Sequence, residues 1–276
     1  MFKKYGLIGI ILIILLEINF FLKIQPFADW YFPIIWFSYI LVIDALVYKI
    51  RKKSLINNHF YSFIGLFILS VFFWYIFEFF NVFTKNWVYI GIENLDLRRA
   101  LILKIISFST VLPALFETTS LIKSVHLFNK IKLRKSYNIS KNFLYFMIVL
   151  GILCFFLPIF LPKFTFPLVW LSFFLILDPI NYLNNQPSII RDIKNKNLAI
   201  ILSLLFAGII LGFFWEFWNY YATIKWVYDI PFLGYFKIFE MPVLGYLGYF
   251  PFAFELYAMY WFIRSLFTYK NNFLIE

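Results

Sequence analysis

Eight stretches of mostly apolar residues, each long enough to cross a membrane, leave the chain few other ways to fold. A hydrocarbon core of roughly 30 Å requires about 20 apolar residues in an α-helix. Hydrophobic residues make up 63% of the chain and charged residues 14%. The sequence therefore predicts an all-α integral membrane protein whose eight transmembrane helices lie near residues 5–24, 30–50, 60–83, 100–122, 142–161, 164–183, 198–222 and 241–263.

The positive charges predict how these helices are oriented. Most of the 25 Lys and Arg residues lie at the two termini and in the loops after the second, fourth and sixth predicted helices. Because cytoplasmic loops are enriched in Lys and Arg, we expect a multi-pass protein with both termini cytoplasmic. The net charge of +11 is then explained by topology and by contact of these loops with anionic lipid headgroups. No nucleic-acid partner is expected, and the oligomeric state is not predicted.

A polar pattern that occurs twice divides the chain into two halves. Trp36, Ser38 and Asp44 recur 134 positions later as Trp170, Ser172 and Asp178. A second set recurs 138 positions later, with Glu78, Asn81, Pro113 and Glu117 matched by Glu216, Asn219, Pro251 and Glu255. The pattern predicts two parallel four-helix repeats, at residues 1–125 and 142–276, joined by a basic cytoplasmic linker at 126–141. Because each half has an even number of helices, both halves cross the membrane in the same direction, and we expect them to be related by a rotation axis along the membrane normal.

Six repeated carboxylates inside the predicted helices are the main candidates for chemistry: Asp44, Glu78, Glu117, Asp178, Glu216 and Glu255. A charged acid at the bilayer centre costs about 2.5 to 3.5 kcal/mol, so we expect these side chains to face the bundle interior. Asn81 lies three residues after Glu78 and shares its helix face, as does Trp74 four residues before it. Asn219 stands in the same relation to Glu216.

Structural roles for the charged residues remain open alternatives. Some of the acids could only bond helices together, and Lys85 or Lys225 could reach back to the acid of its own half. Glu17 and Lys104, which have no repeat partners, could neutralise each other. The aromatic residues Trp226 and Tyr228 are typical of an interfacial belt, but with Trp215 they could also line a pocket for a long apolar substrate.

Missing residue types exclude several function classes. The two histidines, His59 and His126, fall at the edges of predicted loops, whereas a di-iron, zinc or haem site needs several facing histidines. HExxH, a Gly-rich phosphate loop and a paired DxxxD motif are also missing, which removes the reactive groups of metalloproteases, nucleotide hydrolases and prenyltransferases. We expect no cofactor and no metal. Cys154, the single cysteine, cannot form an intramolecular disulfide.

At the repeated acids the chain resembles the lycopene cyclase domain family, which consists of small membrane repeats. In that family a Trp-Asp pair is followed about nine residues later by Trp, and then by a Pro-x-Glu-Glu motif on the next helix. Trp215 and Glu216 with Trp226 look like the first element, and the segment from Pro251 to Glu255 looks like the second. The chain has Glu in place of Asp, and a single Glu in place of the Glu pair. The resemblance implies acid-catalysed chemistry on an isoprenoid.

The repeated acids and the family resemblance together favour a membrane-embedded enzyme. It would be a cofactor-independent cyclase or isomerase that acts on an isoprenoid or other lipid. In this hypothesis a buried, protonated Glu255 or Glu117 donates a proton to an alkene. Glu216 with Asn219, or Glu78 with Asn81, orients the substrate. The substrate-binding candidates are Asp44, Asp178, Trp215, Trp226 and Tyr228. The second half, with glycines before Pro251, is the expected working site. The alternatives are a proton- or cation-coupled transporter and a non-catalytic lipid-binding subunit.

The predicted orientation can be tested by labelling single introduced cysteines in intact cells with a membrane-impermeant reagent. Asn94→Cys should be labelled and Ser136→Cys should be protected, because these positions lie in loops on opposite sides of the predicted bundle. The reverse pattern would invert the topology.

Overall fold

The computed structural model describes residues 1–232 and 234–267, and this part of the chain is mostly helical. Its helices are α1 (Lys4–Leu22), α2 (Tyr31–Arg51), α3 (Leu55–Asn58), α4 (Phe60–Thr84), α5 (Leu97–Ser109), α6 (Val111–Ser124), α7 (Lys141–Phe160), α8 (Pro162–Thr165), α9 (Val169–Leu183), α10 (Ile189–Lys194), α11 (Ala199–Tyr221) and α12 (Tyr249–Phe267). Four short strands interrupt them: β1 (Trp87–Ile90), β2 (Lys225–Tyr228), β3 (Lys237–Ile238) and β4 (Met241–Pro242).

Seven helical segments among the described residues are long and apolar enough to cross a membrane, which indicates a multi-pass membrane protein. They coincide with the first seven predicted helices, with Leu97–Ser124 and Pro162–Leu183 each counted as one segment. The eighth predicted helix is irregular at its start, where Gly245 and Gly248 lie. Residues Val243–Gly248 form a 3-10 helix, and α12 begins at Tyr249. Because α12 is not among the seven, the count of eight stays a prediction.

Helix α6 lies at the centre of the bundle. Each residue from Val111 to Ser120 is buried, and α6 packs against α2 and α11. α12 packs against α9 and α11, with Glu255–Trp261 buried. By contrast, α1 and α7 lie at the periphery, where they pack chiefly against α2 and α9 and leave many apolar side chains exposed. Exposed apolar side chains on peripheral helices are what lipid contact requires.

Strands β1 and β2 join the two halves of the chain, which a purely helical fold class did not anticipate. They pair antiparallel, with Trp87 opposite Tyr228, Val88 opposite Val227 and Tyr89 opposite Trp226. Alternate residues of a strand point to the same side, so the four aromatic residues share one face of this ribbon. Four residues carry too little pattern to predict a strand. Their pairing depends on a segment far away in the sequence.

At Gly91, directly after β1, the backbone comes very close to the segment that leads from α11 to β2. The φ of Gly91 is +82°, and a Cβ at this position would lie 2.6 Å from the Thr223 carbonyl oxygen. We expect Gly91→Ala to lower the free energy of unfolding by about 1 to 3 kcal/mol, because Ala is strained in this conformation. Gly65→Ala, where a Cβ meets no atom within 4 Å, is the matched control. Thermal unfolding in detergent measures both, and equal midpoints would contradict the expectation.

Candidate functional site

A largely apolar cavity of about 210 Å³ lies between the two halves, next to the β1–β2 ribbon. Both strands contribute to it, together with side chains of α4, α5, α9, α11 and α12. Its aromatic lining comprises Phe32, Trp74, Trp87, Tyr89, Phe108, Phe166, Trp170, Trp215, Trp226, Tyr228, Tyr249 and Phe252. Typical small-molecule pockets measure about 300 to 1,000 Å³. The cavity therefore suits one end of a long lipid better than a whole one.

Glu78 lies behind the cavity wall and accepts three hydrogen bonds on one oxygen. Trp74 Nε1 and Trp87 Nε1 each donate to Glu78 Oε1 at 3.0 Å, and the Tyr89 hydroxyl donates at 2.6 Å. The three donors line the cavity, whereas Glu78 is not among its lining residues. The predicted pairing of Trp74 with Glu78 on one helix face is confirmed. Such a set of donors satisfies a carboxylate in an apolar environment.

Glu216 is held in a similar way in the second half. The Tyr228 hydroxyl donates to Glu216 Oε1 at 2.8 Å and the Tyr249 hydroxyl at 2.6 Å. Glu216 is fully buried, and its Oε2 has no hydrogen-bond partner in the described part of the chain. Both tyrosines line the cavity. A cavity ligand would therefore contact two phenols that are in direct contact with a carboxyl group.

The two halves differ in the donors that join the strand tyrosine: Trp74 and Trp87 donate to Glu78, whereas Tyr249 alone joins Tyr228 at Glu216. The position that matches Trp74 by the 138-residue offset is Gly212, and the ring of Tyr249 occupies the space beside it, where a Cβ would clash. An indole from the same helix thus serves Glu78, while a phenol from α12 serves Glu216. Sequence analysis missed Tyr249. The unmatched Trp74 and Gly212 are the signal that could have pointed to a replacement.

Asn81 and Asn219 fix the strands rather than lining the cavity. Asn81 Nδ2 donates to the Trp87 carbonyl at 2.8 Å, and Trp87 N donates back to Asn81 Oδ1 at 3.2 Å. Asn219 forms the same two bonds with Trp226, at 2.8 and 2.9 Å. Each amide therefore satisfies a backbone N–H and C=O where the chain leaves a helix. Both asparagines position the aromatic face of the ribbon.

The phenols on the strands remain proton donors at neutral pH. Burial, followed by the charge of the adjacent Glu216, raises the pKa of Tyr228 well above its ordinary value of 10.0. Burial and Glu78 raise the pKa of Tyr89 in the same direction. Desolvation and a nearby negative charge both disfavour a phenolate. A hydroxyl that keeps its proton can pass it on only when it receives another from its carboxyl partner.

Indole and phenyl rings surround the space in front of these phenols. Phe252 packs edge-on against Trp170 and Trp215, with ring centroids 5.4 and 5.9 Å apart. Trp170 stacks on Trp87 at 6.3 Å, and Trp215 stacks on Tyr249 at 5.7 Å. Ring faces attract positive charge, and the attraction is stronger where water is excluded. The enclosure is suited to a transient cation.

The other predicted site residues lie outside the cavity lining. Glu255 Oε1 accepts from Phe173 N at 2.8 Å and Ser172 Oγ at 3.4 Å, while its Oε2 is buried without a partner among the described residues. Glu117 is fully buried and neither of its oxygens has a partner there. These two acids lie further along α12 and α6 than the lining residues Phe252 and Val111.

Asp44 and Asp178 hold short helices at the ends of their segments. Asp178 accepts from Ile189 N at 2.8 Å and Ile190 N at 3.0 Å, at the start of α10. Asp44 accepts from Ile56 N at 3.0 Å in α3 and from the Tyr5 hydroxyl. A carboxylate at a helix N-terminus satisfies free N–H groups there. Neither is among the cavity-lining residues, although both were predicted to bind substrate.

Two charge pairings that the sequence left open are replaced by other contacts. Glu17 accepts from Trp218 Nε1 at 2.9 Å, and Lys104 Nζ lies 4.8 Å from the centroid of the Tyr89 ring. Lys225 pairs with Glu240 at 2.6 Å rather than with Glu216. Within residues 1–232 and 234–267, no group of three His, Cys, Asp or Glu side chains could hold a metal ion.

Tyr249→Phe would test the site's hydrogen bonds without changing its shape. It removes one of the two donors to Glu216, so we expect the free energy of unfolding to fall by about 1 to 3 kcal/mol. Tyr246→Phe is the control, because the Tyr246 hydroxyl donates to the Ile238 carbonyl at an exposed position. Thermal unfolding in detergent compares the two. A smaller effect at Tyr249 than at Tyr246 would show that this hydrogen bond contributes little.

Comparisons with protein-family models, with curated protein sequences and with solved structures found no match for the chain. A function has to be inferred from the residues of the cavity and their contacts.

Proposed function

We propose that the protein is a membrane-embedded enzyme that acts on an isoprenoid or other lipid by proton transfer from a carboxyl group. One observation carries the proposal: the apolar cavity is lined by phenols and indoles that are hydrogen-bonded to Glu78 and Glu216. An apolar chain would fill the cavity, and a single tyrosine hydroxyl would separate it from the carboxyl group of Glu78 or Glu216. The resemblance to lycopene cyclase domains points to the same chemistry.

Glu216 is the proposed proton source. In the reacting state Glu216 carries a proton and the hydrogen bond is reversed, so that the carboxyl group donates to the hydroxyl oxygen of Tyr249 or Tyr228. The phenol's own proton then adds to an alkene carbon of the lipid. The alkene becomes a carbocation and Glu216 becomes a carboxylate, so the step is balanced without an oxidant or reductant. General acid catalysis of this kind contributes roughly 10²- to 10⁴-fold. The contacts favour Glu216 over Glu255 and Glu117, because two phenols that line the cavity donate to Glu216. The donors to Glu255, Phe173 N and Ser172 Oγ, belong to residues that do not line it.

Glu78 is the proposed proton acceptor. Loss of a proton from the carbon next to the cation restores a double bond, and that proton reaches Glu78 through Tyr89. The net reaction of the lipid is an isomerisation, or a cyclisation when a second alkene attacks the cation first. The enzyme is reset when Glu78 loses its proton to solvent and Glu216 takes one up from solvent. The rings of Trp170, Trp215 and Phe252 stabilise the cation between the two steps.

The proposed architecture is two parallel four-helix repeats around a two-fold axis through the β1–β2 ribbon, with both termini cytoplasmic. Its support is the recurrence of the same contacts at matched positions. Asn81 and Asn219 form the same pair of bonds, Tyr89 and Tyr228 donate to Glu78 and Glu216, and the strand register is centred on Val88 and Val227. In this arrangement the ribbon covers the outer end of the cavity.

Transport is a weaker explanation of the same acids. A carrier requires a polar path between the acids near the two membrane faces. The cavity is mainly apolar, and Asp44 and Asp178 are engaged with backbone N–H groups of α3 and α10. Non-catalytic lipid binding differs from the enzyme proposal only in the absence of turnover, so turnover is what must be measured.

The proposal predicts that deuterium from solvent enters the lipid. Purified protein in nanodiscs is incubated in D2O with lycopene or with geranylgeranoic acid, and the recovered lipid is analysed by mass spectrometry. We expect incorporation with wild-type protein and at least a ~100-fold loss with Glu216→Gln, which keeps size but cannot donate the acidic proton. Glu78→Gln should also lose deuterium incorporation, because the proposed proton acceptor is removed.

Glu93→Gln is the matched control, because Glu93 is exposed in the loop after β1. It should retain wild-type incorporation. Full activity of Glu216→Gln would exclude Glu216 as the donor. A wild-type protein that binds lipid but incorporates no deuterium would contradict the enzyme proposal in favour of lipid binding alone.

A further inference from the structure

Lys104 is a charged side chain within an apolar, membrane-crossing segment, Leu97–Ser124. Lys104 takes no part in the ion pairs of Arg99 with Asp96 and of Lys225 with Glu240, and within residues 1–232 and 234–267 no carboxylate lies within 4.0 Å of its ammonium group. Its Nζ lies over the Tyr89 ring. Ionisable residues in membrane helices are costly and usually mark a functional site.

Lys104 belongs to the cavity wall. It lines the cavity together with Tyr89, and with Ser107 and Phe108 one turn further along α5. The carboxyl groups of Glu78 and Glu216 are separated from the cavity by their phenol and indole donors. Because those donors are already bonded to the carboxyl groups, the group on this part of the wall that can pair with a ligand's charge is the Lys104 ammonium group, which has no carboxylate within 4.0 Å in the described residues.

The other charged lining residues already have partners. Lys225 is neutralised by Glu240 at 2.6 Å. Asp29, a carboxylate among the lining residues, accepts from Gln25 Nε2 at 2.9 Å. Lys104 is thus the lining charge that a ligand can pair with at the least cost, since no existing ion pair has to be broken.

We propose that the cavity binds an amphipathic lipid whose anionic head group, a carboxylate or a phosphate, pairs with Lys104 while its apolar chain lies against the aromatic wall. The inference rests on the proposed function and names its substrate class. It departs from the hydrocarbon substrate that the family resemblance implies. Charge complementarity and the apolar remainder of the lining both fit such a ligand.

A purely structural role for Lys104 makes a different prediction. Its charge could balance Glu78 across the Tyr89 ring, because Tyr89 contacts both residues. Removing the charge would then disturb the cavity wall itself. Neutral and anionic ligands would lose affinity alike.

Three probes with the same chain and different heads separate these roles: geranylgeraniol, geranylgeranoic acid and geranylgeranyl monophosphate. Binding to the full protein in phosphatidylcholine nanodiscs is followed by tryptophan fluorescence, since five Trp residues line the cavity. We expect at least one anionic probe to bind wild-type protein about tenfold more tightly than the alcohol. Lys104→Met should abolish this preference and leave the alcohol within about twofold, while Lys104→Arg should keep it.

Lys85→Met is the control, because Lys85 is exposed outside the cavity and should leave the preference intact. Tighter binding of the acid would identify a carboxylate head, and tighter binding of the monophosphate a phosphate head. Equal binding of alcohol and anions to wild-type protein would overturn the inference. So would a common loss of all three probes in Lys104→Met, or no binding of any probe. A Lys104-dependent preference without deuterium incorporation would leave the anion site standing while the catalytic proposal fails.

Discussion

The pairing of β1 with β2 is the interaction on which the cavity depends. At the ends of α4 and α11 the chain leaves the helix, and its backbone groups need new partners where water is scarce. Asn81 and Asn219 supply the first of these, and the strands supply the rest to each other. Because the register is fixed, Tyr89 and Tyr228 are presented on one face of the ribbon. Without the ribbon, neither phenol would be held against its carboxyl group.

The acids of the membrane helices are stabilised unequally, and this inequality separates their roles. Glu78 receives three hydrogen bonds, Glu216 two and Glu255 two, whereas neither oxygen of Glu117 is bonded in the described residues. A buried carboxyl with few donors is costly to ionise. Because their surroundings differ, Glu216 can donate a proton and Glu78 can accept one. Two acids in identical surroundings would have no preference for either role.

Hydropathy and helix periodicity accounted for the helices and for part of the site. Apolar runs identified seven membrane-crossing segments, and the spacing of four residues placed Trp74 beside Glu78. Contacts between distant segments could not be foreseen in the same way. The engagement of Asp178 with α10 depends on how a loop folds back, and the approach of Tyr249 to Glu216 depends on packing of α12 against α11. Local sequence carries neither kind of information.

The ribbon also bears on how such a chain could arise. Neither β1 nor β2 has a strand partner within its own half of the described chain, and the register is unchanged when the halves are exchanged about Val88 and Val227. On the proposed two-repeat architecture, a half-length ancestor would have exposed an unpaired strand edge, a site of association between chains. Two copies meeting through the same surface patch would have closed that edge and the cavity together. Fusion into one chain would then have freed the two copies to diverge, one keeping an indole at Trp74 and the other recruiting the phenol of Tyr249.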